Sequence, residues 1–314
     1  MSTMNHLTAV PTARTRALLD LPAPAKVNLF LHIVGRRADG YHLLQSVFAL
    51  VDWSDRISFE HRVSGVSRED LHRDRALPTD DLLTQTARAL QSATGCTQGV
   101  HMTLDKRIPM QAGLGGGSSD AATCLIALNR LWDLGLSRHQ LLHIGAGLGA
   151  DVPFFVGGNN AWVEGVGEQL QSMVLPPARI TIVKPPSGVA TAQLFRSELL
   201  KRDTKPATMP DFAGHTVQQG SQSPVLQPYA FGQNDLQAAA VAVCPEIQDC
   251  LDWLVSKGLK PRMTGSGSAV FATHADPVDV SGAPPEWVVH QSCVMDVHPL
   301  FAWSSNTTVA SSDV

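Results

Sequence analysis

A glycine-rich segment about a third of the way along the chain constrains the fold more than any other feature. Residues 108–122 read IPMQAGLGGGSSDAA, with four glycines within the five positions 113–117. The residues that follow repeat at helical spacing on one face: Ala121, Leu125, Leu128 and Trp132. A glycine loop that leads into a helix binds anions, because its backbone N–H groups and the helix dipole favour negative charge. The segment therefore predicts a phosphate-binding loop and suggests a nucleotide.

Two familiar phosphate-binding motifs do not fit this loop. A P-loop needs Gly-Lys followed by Ser or Thr, whereas Ser118, Ser119 and Asp120 follow the glycines here. A dinucleotide fingerprint comes directly after the first strand and needs a third glycine where this chain has Ser118. A flexible linker is the plain alternative, but linkers do not usually lead directly into a periodic apolar helix.

The composition allows a large folded chain. With 314 residues, of which 44% are hydrophobic and 17% charged, the chain can form one large or two ordinary domains with a sizeable core. A net charge of −4 and the lack of a long apolar run lead us to expect neither a nucleic acid nor a membrane as partner. Five cysteines without a C-x-x-C pair indicate reduced thiols in a cytoplasmic protein.

Both ends of the chain are predicted to be extensions. Residues 1–21 contain no acidic residue before Asp20, which is faintly similar to a transit peptide. A short flexible extension is the preferred interpretation, because the apolar region of a secretory signal is missing. Residues 305–314 are predicted to form a disordered tail.

Between the ends, strands and helices mix without strict alternation, which predicts an α+β fold. A second unit begins near Leu175, so we place two domains at 22–175 and 176–304. The predicted strands are 27–34, 43–51, 56–59, 100–104, 161–166 and 180–184, and a second glycine motif at 262–272 leads into another. The predicted helices are 80–93, 119–132, 138–148, 191–200, 235–243 and 246–257, and residues 203–228 are predicted to be a loop.

Lys26 and Asp151 are the candidate catalytic pair. Lys26 opens the first predicted strand, where a solvated surface charge is the ordinary interpretation. Asp151 lies in an apolar, glycine-rich stretch, and there a capping aspartate is the ordinary alternative. A carboxylate in such surroundings needs a partner. If Lys26 is that partner, the carboxylate can accept a hydroxyl proton while the ammonium stabilises the alkoxide.

Two further segments are candidates for ligand binding. Tyr41 and His42 follow an Asp39-Gly40 turn, where the ring can stack on a base and the imidazole can bond the edge of that base. A packed aromatic beside a hairpin is the alternative. The segment 264–268, TGSGS, can close around a phosphate or around a neighbouring loop.

Four segments, taken in order, resemble the GHMP kinase superfamily. They are PAKVNLFLHIVGRRADGYH from Pro24, IPMQAGLGGGSSDAA from Ile108, LGADVPFF from Leu148 and RMTGSGSAVF from Arg262. The second matches the phosphate loop of the superfamily and the fourth its C-terminal glycine motif. The resemblance extends from about Pro22 to Trp303.

The resemblance implies a fold and an activity. The fold is a two-domain GHMP kinase fold, α+β, with the active site in the interdomain cleft and ATP bound by the N-terminal domain. The first and third segments are similar to a branch that acts on a cytidine-diphosphate-linked methylerythritol in non-mevalonate isoprenoid biosynthesis. The activity is then transfer of the γ-phosphate of ATP, with Mg²⁺, to the 2-hydroxyl of that substrate. The enzyme is expected to be a cytoplasmic bacterial protein, monomeric or weakly dimeric.

The resemblance also assigns roles to residues at matching positions. Asp151 is the base, and Lys26 orients and polarises. ATP is held by Lys106 and by the loop residues Pro109, Met110, Gln111, Ala112, Gly113, Leu114, Gly115, Gly116, Gly117, Ser118 and Ser119. Ser118 or Ser119 reaches the metal. The substrate is contacted by Asn28, Tyr41, His42 and Phe195, with the cytosine sandwiched between Tyr41 and Phe195.

One position departs from the pattern of the superfamily. Many relatives carry Asp-Asn-Leu before the first helix, with the asparagine near the adenine, whereas this chain has Asp80-Asp81-Leu82. The departure concerns the contact with the adenine and leaves the phosphate loop as predicted.

Two other functions stay open at this stage. The first is a kinase for another small alcohol, such as homoserine or a mevalonate derivative. The aromatic–histidine pair disfavours it, because a small aliphatic substrate has no use for a base-stacking ring. The second is a ligand-binding relative without catalysis, which the retention of Lys26 and Asp151 disfavours.

Overall fold

The computed structural model describes residues 16–72, 78, 80–214 and 227–304. The strands are β1 (Ala17–Arg36), β2 (His42–Arg62), β3 (Val66–Asp70), β4 (Gly99–Asp105), β5 (Ala161–Glu164), β6 (Gln169–Ser172), β7 (Arg179–Lys184), β8 (Arg262–Met263), β9 (Val270–His274) and β10 (Val288–Met295). The helices are α1 (Leu82–Thr94), α2 (Gly116–Leu131), α3 (Arg138–Ala146), α4 (Val152–Gly157), α5 (Thr191–Arg196), α6 (Met209–Gly214), α7 (Gln227–Ala230), α8 (Gln237–Val243) and α9 (Glu246–Ser256), with a 3-10 turn at Phe301–Trp303.

The predicted elements are confirmed in kind, and several differ in extent. The strands predicted at 43–51 and 56–59 are one continuous strand, β2. The predicted loop at 203–228 contains α6 and the first residues of α7, and its residues 215–226 lie outside the described part. Strands β3, β6 and β10, helix α4 and the 3-10 turn were not predicted, because these short or half-exposed segments carry little periodicity.

The first strand begins earlier than predicted. Ala17, Leu18 and Leu21 pair with β2, so residues 17–21 belong to the sheet and not to a flexible extension. The rest of the predicted extension, 1–15, lies outside the described residues, as does the predicted tail at 305–314.

Strand β1 lies in the interior of the molecule and carries Lys26 and Asn28 of the site. One edge pairs with β2 in an antiparallel hairpin that closes through Arg36 and His42. The other edge meets loops from both halves of the chain: Lys26 donates its N–H to the carbonyl of Leu114, and Leu31 donates to that of Gln233. Because both edges and both faces are covered, the strand is a long apolar run instead of an alternating one.

The two halves share one sheet with the order β3-β4-β2-β10-β7-β9-β8, while β1 and β5 pair with β2 off this path. Strand β10 joins them. Its residues 288–293 pair with β7, and Val294 and Met295 then pair with Val51 and Leu50 of β2. The residues after β10 pack into the first half, where Leu300 is buried in the same cluster as α2. This part of the predicted second domain therefore lies on the first one.

Helix α2 carries the glycine loop into the core of the first half. It is buried along nearly its whole length between the sheet and helices α1, α3 and α4. A helix packed on several sides is apolar all round, as the run from Ala121 to Leu128 is. The start of α2 is therefore a fixed point to which the loop is attached. None of the helices that the structure describes is long and apolar enough to cross a membrane.

Candidate active site between the two halves

Lys26 and Asp151 lie together, as predicted. The ammonium of Lys26 is 3.3 Å from Oδ2 of Asp151 and donates a 2.7 Å hydrogen bond to Oδ1 of Asn28. It also lies 4.3 Å from the centre of the Phe48 ring. The lysine side chain is 5% exposed and that of Asp151 is 29% exposed. The pair thus combines a fixed, buried cation with a carboxylate that a substrate can reach.

Asp151 occupies the N-cap position of α4 but does not cap the helix. Its side chain makes no capping hydrogen bond. The capping role that we weighed as an alternative is therefore wrong. Since Pro153 in the first turn has no N–H, this helix start also has fewer donors to satisfy. The carboxylate is left for Lys26 and for a ligand.

The glycine loop adopts the backbone that its sequence predicts. Gly113 has φ of 72° and Gly115, the N-cap of α2, has φ of 70°, a conformation that residues with a Cβ rarely adopt. A Cβ on Gly115 would lie 3.0 Å from Cγ of Lys26, so the loop passes directly over the side chain of Lys26. The phosphate loop and the Lys26–Asp151 pair therefore form one site.

The second glycine motif closes on the phosphate loop. A Cβ on Gly113 would lie 2.2 Å from the carbonyl oxygen of Thr264, and Ser268 and Ala269 donate their N–H groups to the loop at 3.2 Å. The hydroxyl of Thr264 also accepts the N–H of Asn28 at 2.9 Å. The sequence left open whether this motif closes around a phosphate or around a neighbouring loop. These contacts are with the neighbouring loop.

A cavity of about 590 Å³ opens between the two halves along the glycine loop. Residues 109–118 line it from the first half and residues 189–191 with Ser266 and Gly267 line it from the second. This is the predicted interdomain cleft. Lys106 lines it as well, whereas Ser119 is fully buried behind the loop. The predicted substrate residues lie outside this cavity.

Lys106 holds a buried ion cluster that the sequence did not reveal. Its ammonium bonds Oδ2 of Asp55 and, at 2.7 Å, Oδ2 of Asp120. Asp55 also accepts the N–H groups of Arg107 and Ile108 at 2.6 and 2.7 Å. Burial disfavours the charge of Lys106, but the two carboxylates outweigh it and raise its pKa. The cluster ties β2, the end of β4 and the start of α2 together at the entrance to the phosphate loop.

Neither carboxylate of this cluster was predicted to take part in the site. Side chains of β2 alternate between its two faces around Asp55, and Trp53 and Ile57 on the same face as Asp55 are buried. This alternation could have shown from the sequence that Asp55 is buried. No role was assigned to Asp120. Burial, together with the nearby charge of Asp55, raises the pKa of Asp120 to about 8 despite the ammonium of Lys106.

Asp81 caps α1 and lines the cavity. Its carboxylate accepts the N–H of Thr84 at 3.1 Å and lies 2.6 Å from Nη1 of Arg68. Both side chains are more than nine-tenths buried. The aspartate that replaces the usual asparagine is thus held by an arginine and a helix N-terminus.

The predicted substrate residues divide into two groups. Asn28 lies beside Lys26 and donates from Nδ2 to the hydroxyl of Ser46 at 3.0 Å. At the far end of the β1–β2 hairpin, Tyr41 is 65% exposed, while the ring of His42 stacks on Phe195 at 5.0 Å and 26°. The described ring contact of Phe195 is with His42, so the cytosine sandwich between Tyr41 and Phe195 stays a prediction.

Arg202 joins His42 to Phe195, and no motif in the sequence pointed to it. Its Nε donates to Nε2 of His42 at 3.3 Å, and its Nη2 donates to the carbonyl oxygens of Phe195 and Ser197 at 3.2 and 2.9 Å. Burial and the charges of Arg202 and Arg36 lower the pKa of His42. The imidazole is therefore neutral at neutral pH.

Comparison with known proteins agrees with this site. The family model for the GHMP kinases N terminal domain matches residues 81–159, and that for the GHMP kinases C terminal domain matches residues 226–284. Relatives named 4-diphosphocytidyl-2-C-methyl-D-erythritol kinase are similar over 92% of the chain. The protein from Polaromonas naphthalenivorans is 53% identical with 96% of its length covered, and that from Delftia acidovorans is 54% identical with 98% covered.

The chain belongs to the 4-diphosphocytidyl-2-C-methyl-D-erythritol kinase family of GHMP kinases. The resemblance drawn from the four motifs is thereby confirmed.

Solved structures agree with this family. A crystal structure of 4-(cytidine 5'-diphospho)-2C-methyl-D-erythritol kinase is 34% identical, with a TM-score of 0.69 over 82% of this chain and 91% of that one. A homoserine kinase from Cytophaga hutchinsonii, at 16% identity and a TM-score of 0.63 over 93% of this chain and 98% of that one, shows the same GHMP fold. Membership of this kinase family makes the chain a kinase and confirms the predicted fold.

Proposed function

We propose that this kinase transfers the γ-phosphate of ATP to the 2-hydroxyl of 4-(cytidine 5'-diphospho)-2-C-methyl-D-erythritol, a step of the methylerythritol phosphate route to isoprenoid precursors. The Lys26–Asp151 pair beneath the glycine loop carries this proposal. The names of the relatives support the choice of acceptor.

Asp151 is the proposed base. Its partly exposed carboxylate takes the proton of the acceptor hydroxyl as that oxygen attacks the γ-phosphorus of ATP, and ADP leaves with the electron pair of the broken P–O bond. Lys26 stabilises the negative charge of the carboxylate and of the attacking oxygen. Asn28 fixes the ammonium through the 2.7 Å hydrogen bond, so the cation keeps its place as the proton moves.

The glycine loop supplies the proposed ATP site. The transition state of phosphoryl transfer is loose, so catalysis rests on positioning and on stabilisation of the charge of the phosphate oxygens. Backbone N–H groups at the start of α2 can provide this without a P-loop lysine. The ammonium of Lys106 lies 3.1 Å from the Cβ position of Gly116 and, bonded to Asp55 and Asp120, supports the loop from behind.

Mg²⁺ is part of the proposal and fits the side chains at the loop. This ion takes oxygen ligands and is held by few protein groups together with phosphate and water. Within the described residues, Ser118 lines the cavity and the buried hydroxyl of Ser119 has no hydrogen-bond partner. Ser118 or Ser119 would hold the ion, which when bound neutralises the charge that develops on the β- and γ-phosphate oxygens.

The cytidine is proposed to bind at the end of the β1–β2 hairpin. Tyr41, His42 and Phe195 present an exposed ring, a neutral imidazole and a second ring there.

We further propose a cytoplasmic bacterial enzyme that is monomeric or weakly dimeric and binds no nucleic acid. The net charge of −4 supports the last point.

A coupled assay of ADP release tests the proposed reaction. Purified protein is given ATP and Mg²⁺ with the cytidyl substrate, with homoserine, or with mevalonate. We expect turnover with the cytidyl substrate alone. Turnover of either small alcohol at a comparable rate, or no turnover of the cytidyl substrate by folded protein, would refute the proposal.

A further inference from the structure

Arg202 lies between His42 and the backbone that follows α5, both in the proposed cytidine site, and its hydrogen bonds fix its side chain. Besides His42, its guanidinium bonds three carbonyl oxygens, those of Phe195, Ser197 and Leu200, at 2.9 to 3.2 Å. A planar guanidinium that makes these bonds has little rotational freedom. The donor that faces His42 is therefore fixed by the backbone after α5.

This contact determines the tautomer of His42. A guanidinium carries donors only, so Nε2 of His42, at 3.3 Å from Nε of Arg202, must accept the hydrogen bond. In a neutral imidazole the proton then lies on Nδ1. Since the ring is also stacked on Phe195, Nδ1–H is presented in one direction.

We propose that Arg202 is a specificity-determining residue, which fixes His42 as an Nδ1–H donor and thereby selects cytosine over uracil. The inference rests on the function proposed above. The reason lies in the Watson–Crick edges of the two bases. Cytosine has an unprotonated N3 that accepts a hydrogen bond, whereas uracil carries a proton on N3 and would set one donor against another. A site that leaves a donor unsatisfied rejects the wrong ligand strongly.

A purely structural role for Arg202 is the alternative to be tested. The same three carbonyl bonds can serve simply to end α5, in which case loss of the arginine would affect all substrates alike. Base selectivity and the tautomer of His42 separate the two roles, because a helix-ending contact changes neither.

The test compares Arg202→Gln with wild type and with Arg196→Gln, which removes an exposed arginine at the end of α5. We measure kcat and KM for the cytidyl substrate and for its uridine 5'-diphospho analogue. For Arg202→Gln we expect KM for the cytidyl substrate to rise about tenfold with a smaller change in kcat, and the cytidyl-to-uridyl ratio of kcat/KM to fall at least about tenfold. The KM for ATP should not change, and Arg196→Gln should match wild type.

A measurement on the imidazole itself makes the inference independent of turnover. Nitrogen-15 NMR of labelled histidines should show His42 of wild type as the Nδ1–H tautomer, and that of Arg202→Gln as a mixture with Nε2–H. If wild type shows this tautomer but does not turn over the cytidyl substrate, the proposed function fails and not the assignment of the proton. Equal losses for both bases, or an unchanged tautomer in the variant, would overturn the role of Arg202. Should Arg202→Gln not fold, Arg202→Leu is read by the same two measurements.

Discussion

Asp151 is the single residue on which the proposed chemistry depends most. Its carboxylate makes an ion pair with Lys26 and no capping bond, so its replacement should leave the fold intact. It is the proposed acceptor of the hydroxyl proton, whereas ATP is held by the glycine loop. Replacement of Asp151 should therefore affect the chemical step and leave nucleotide binding unchanged.

For Asp151→Asn we expect kcat to fall by about 10² to 10⁴, the range of a lost general base, with the affinity for ATP nearly unchanged. The coupled ADP assay gives kcat, and calorimetric titration with a non-hydrolysable ATP analogue gives the affinity. Asp133→Asn, at an exposed position outside the site, is the matched control and should keep full activity. Substantial kcat in Asp151→Asn would exclude the base role.

At the scale of elements, the two glycine motifs depend on close backbone contact. A Cβ at Gly113 would meet the carbonyl of Thr264 at 2.2 Å, and the residue also has a positive φ. A Cβ at Gly117 would meet nothing within 4 Å, and that space is the cavity itself. Gly113 therefore allows the two glycine motifs to pack closely, whereas Gly117 leaves the cavity open to a ligand.

Replacement of each glycine by alanine should separate these purposes. Gly113→Ala should lower the free energy of unfolding by about 1–3 kcal/mol, since backbone strain adds to the contact with Thr264. Gly117→Ala, in the first turn of α2, should leave the protein at least as stable, because alanine favours a helix by about 0.5–1 kcal/mol. It should nevertheless weaken binding of ATP. Urea denaturation and nucleotide titration measure the two effects; an equal loss of stability in both variants would contradict this division.

The buried cluster around Lys106 should make stability depend on pH. The pKa of Asp120 is raised to about 8 in the folded protein from an ordinary 3.8. Between these values the folded protein keeps a proton that the unfolded chain has released. The free energy of unfolding contributed by this group therefore falls as the pH rises, and this contribution is fully lost once the pH passes the folded pKa.

Asp120→Asn removes this dependence. Relative to wild type, the variant should become steadily more stable as the pH rises from about 5 to about 9. Urea denaturation at several pH values gives the difference. The exposed Asp133→Asn should show no such trend, and a difference for Asp120→Asn that does not vary with pH would show that Asp120 is ionised throughout.

At the scale of the molecule, the C-terminal segment fastens the two halves. After β10 has paired with β2, Arg138 of α3 donates to the carbonyl oxygens of Phe301 and Ser304 at 2.5 and 3.0 Å and lies over the Phe301 ring. The last described residues of the predicted second domain are thus bound to the first half. Since the cleft lies between the halves, this attachment supports the site.

Arg138→Ala should lower the free energy of unfolding by about 2–4 kcal/mol, because several bonds to buried carbonyls are lost together. Arg130→Ala provides the control, since Arg130 also lies over a ring of this segment, Trp303, but is exposed. It should cost less than about 1 kcal/mol. Urea denaturation compares them, and equal costs would show that the carbonyl bonds of Arg138 do not anchor the segment.

The sequence by itself determined the local features. Alternation and helical spacing located the strands and helices, and the glycine loop followed from turn chemistry and the helix that it precedes. The motifs also indicated Lys26 and Asp151. The inferences about strands, helices and the loop succeeded because each rests on residues that are close in the chain, where a period of two or 3.6 residues reflects the local backbone.

The tertiary structure alone decided how these parts meet. It set Asp151 beside Lys26 and showed that the aspartate caps nothing. It also brought Asp55 to Lys106, Arg202 to His42, and β10 to β2. Such contacts join positions far apart in the chain, where no short pattern encodes the partner. They follow from how the chain as a whole buries its apolar surface, and each buried charge then binds the counter-charge or dipole that this burial places next to it.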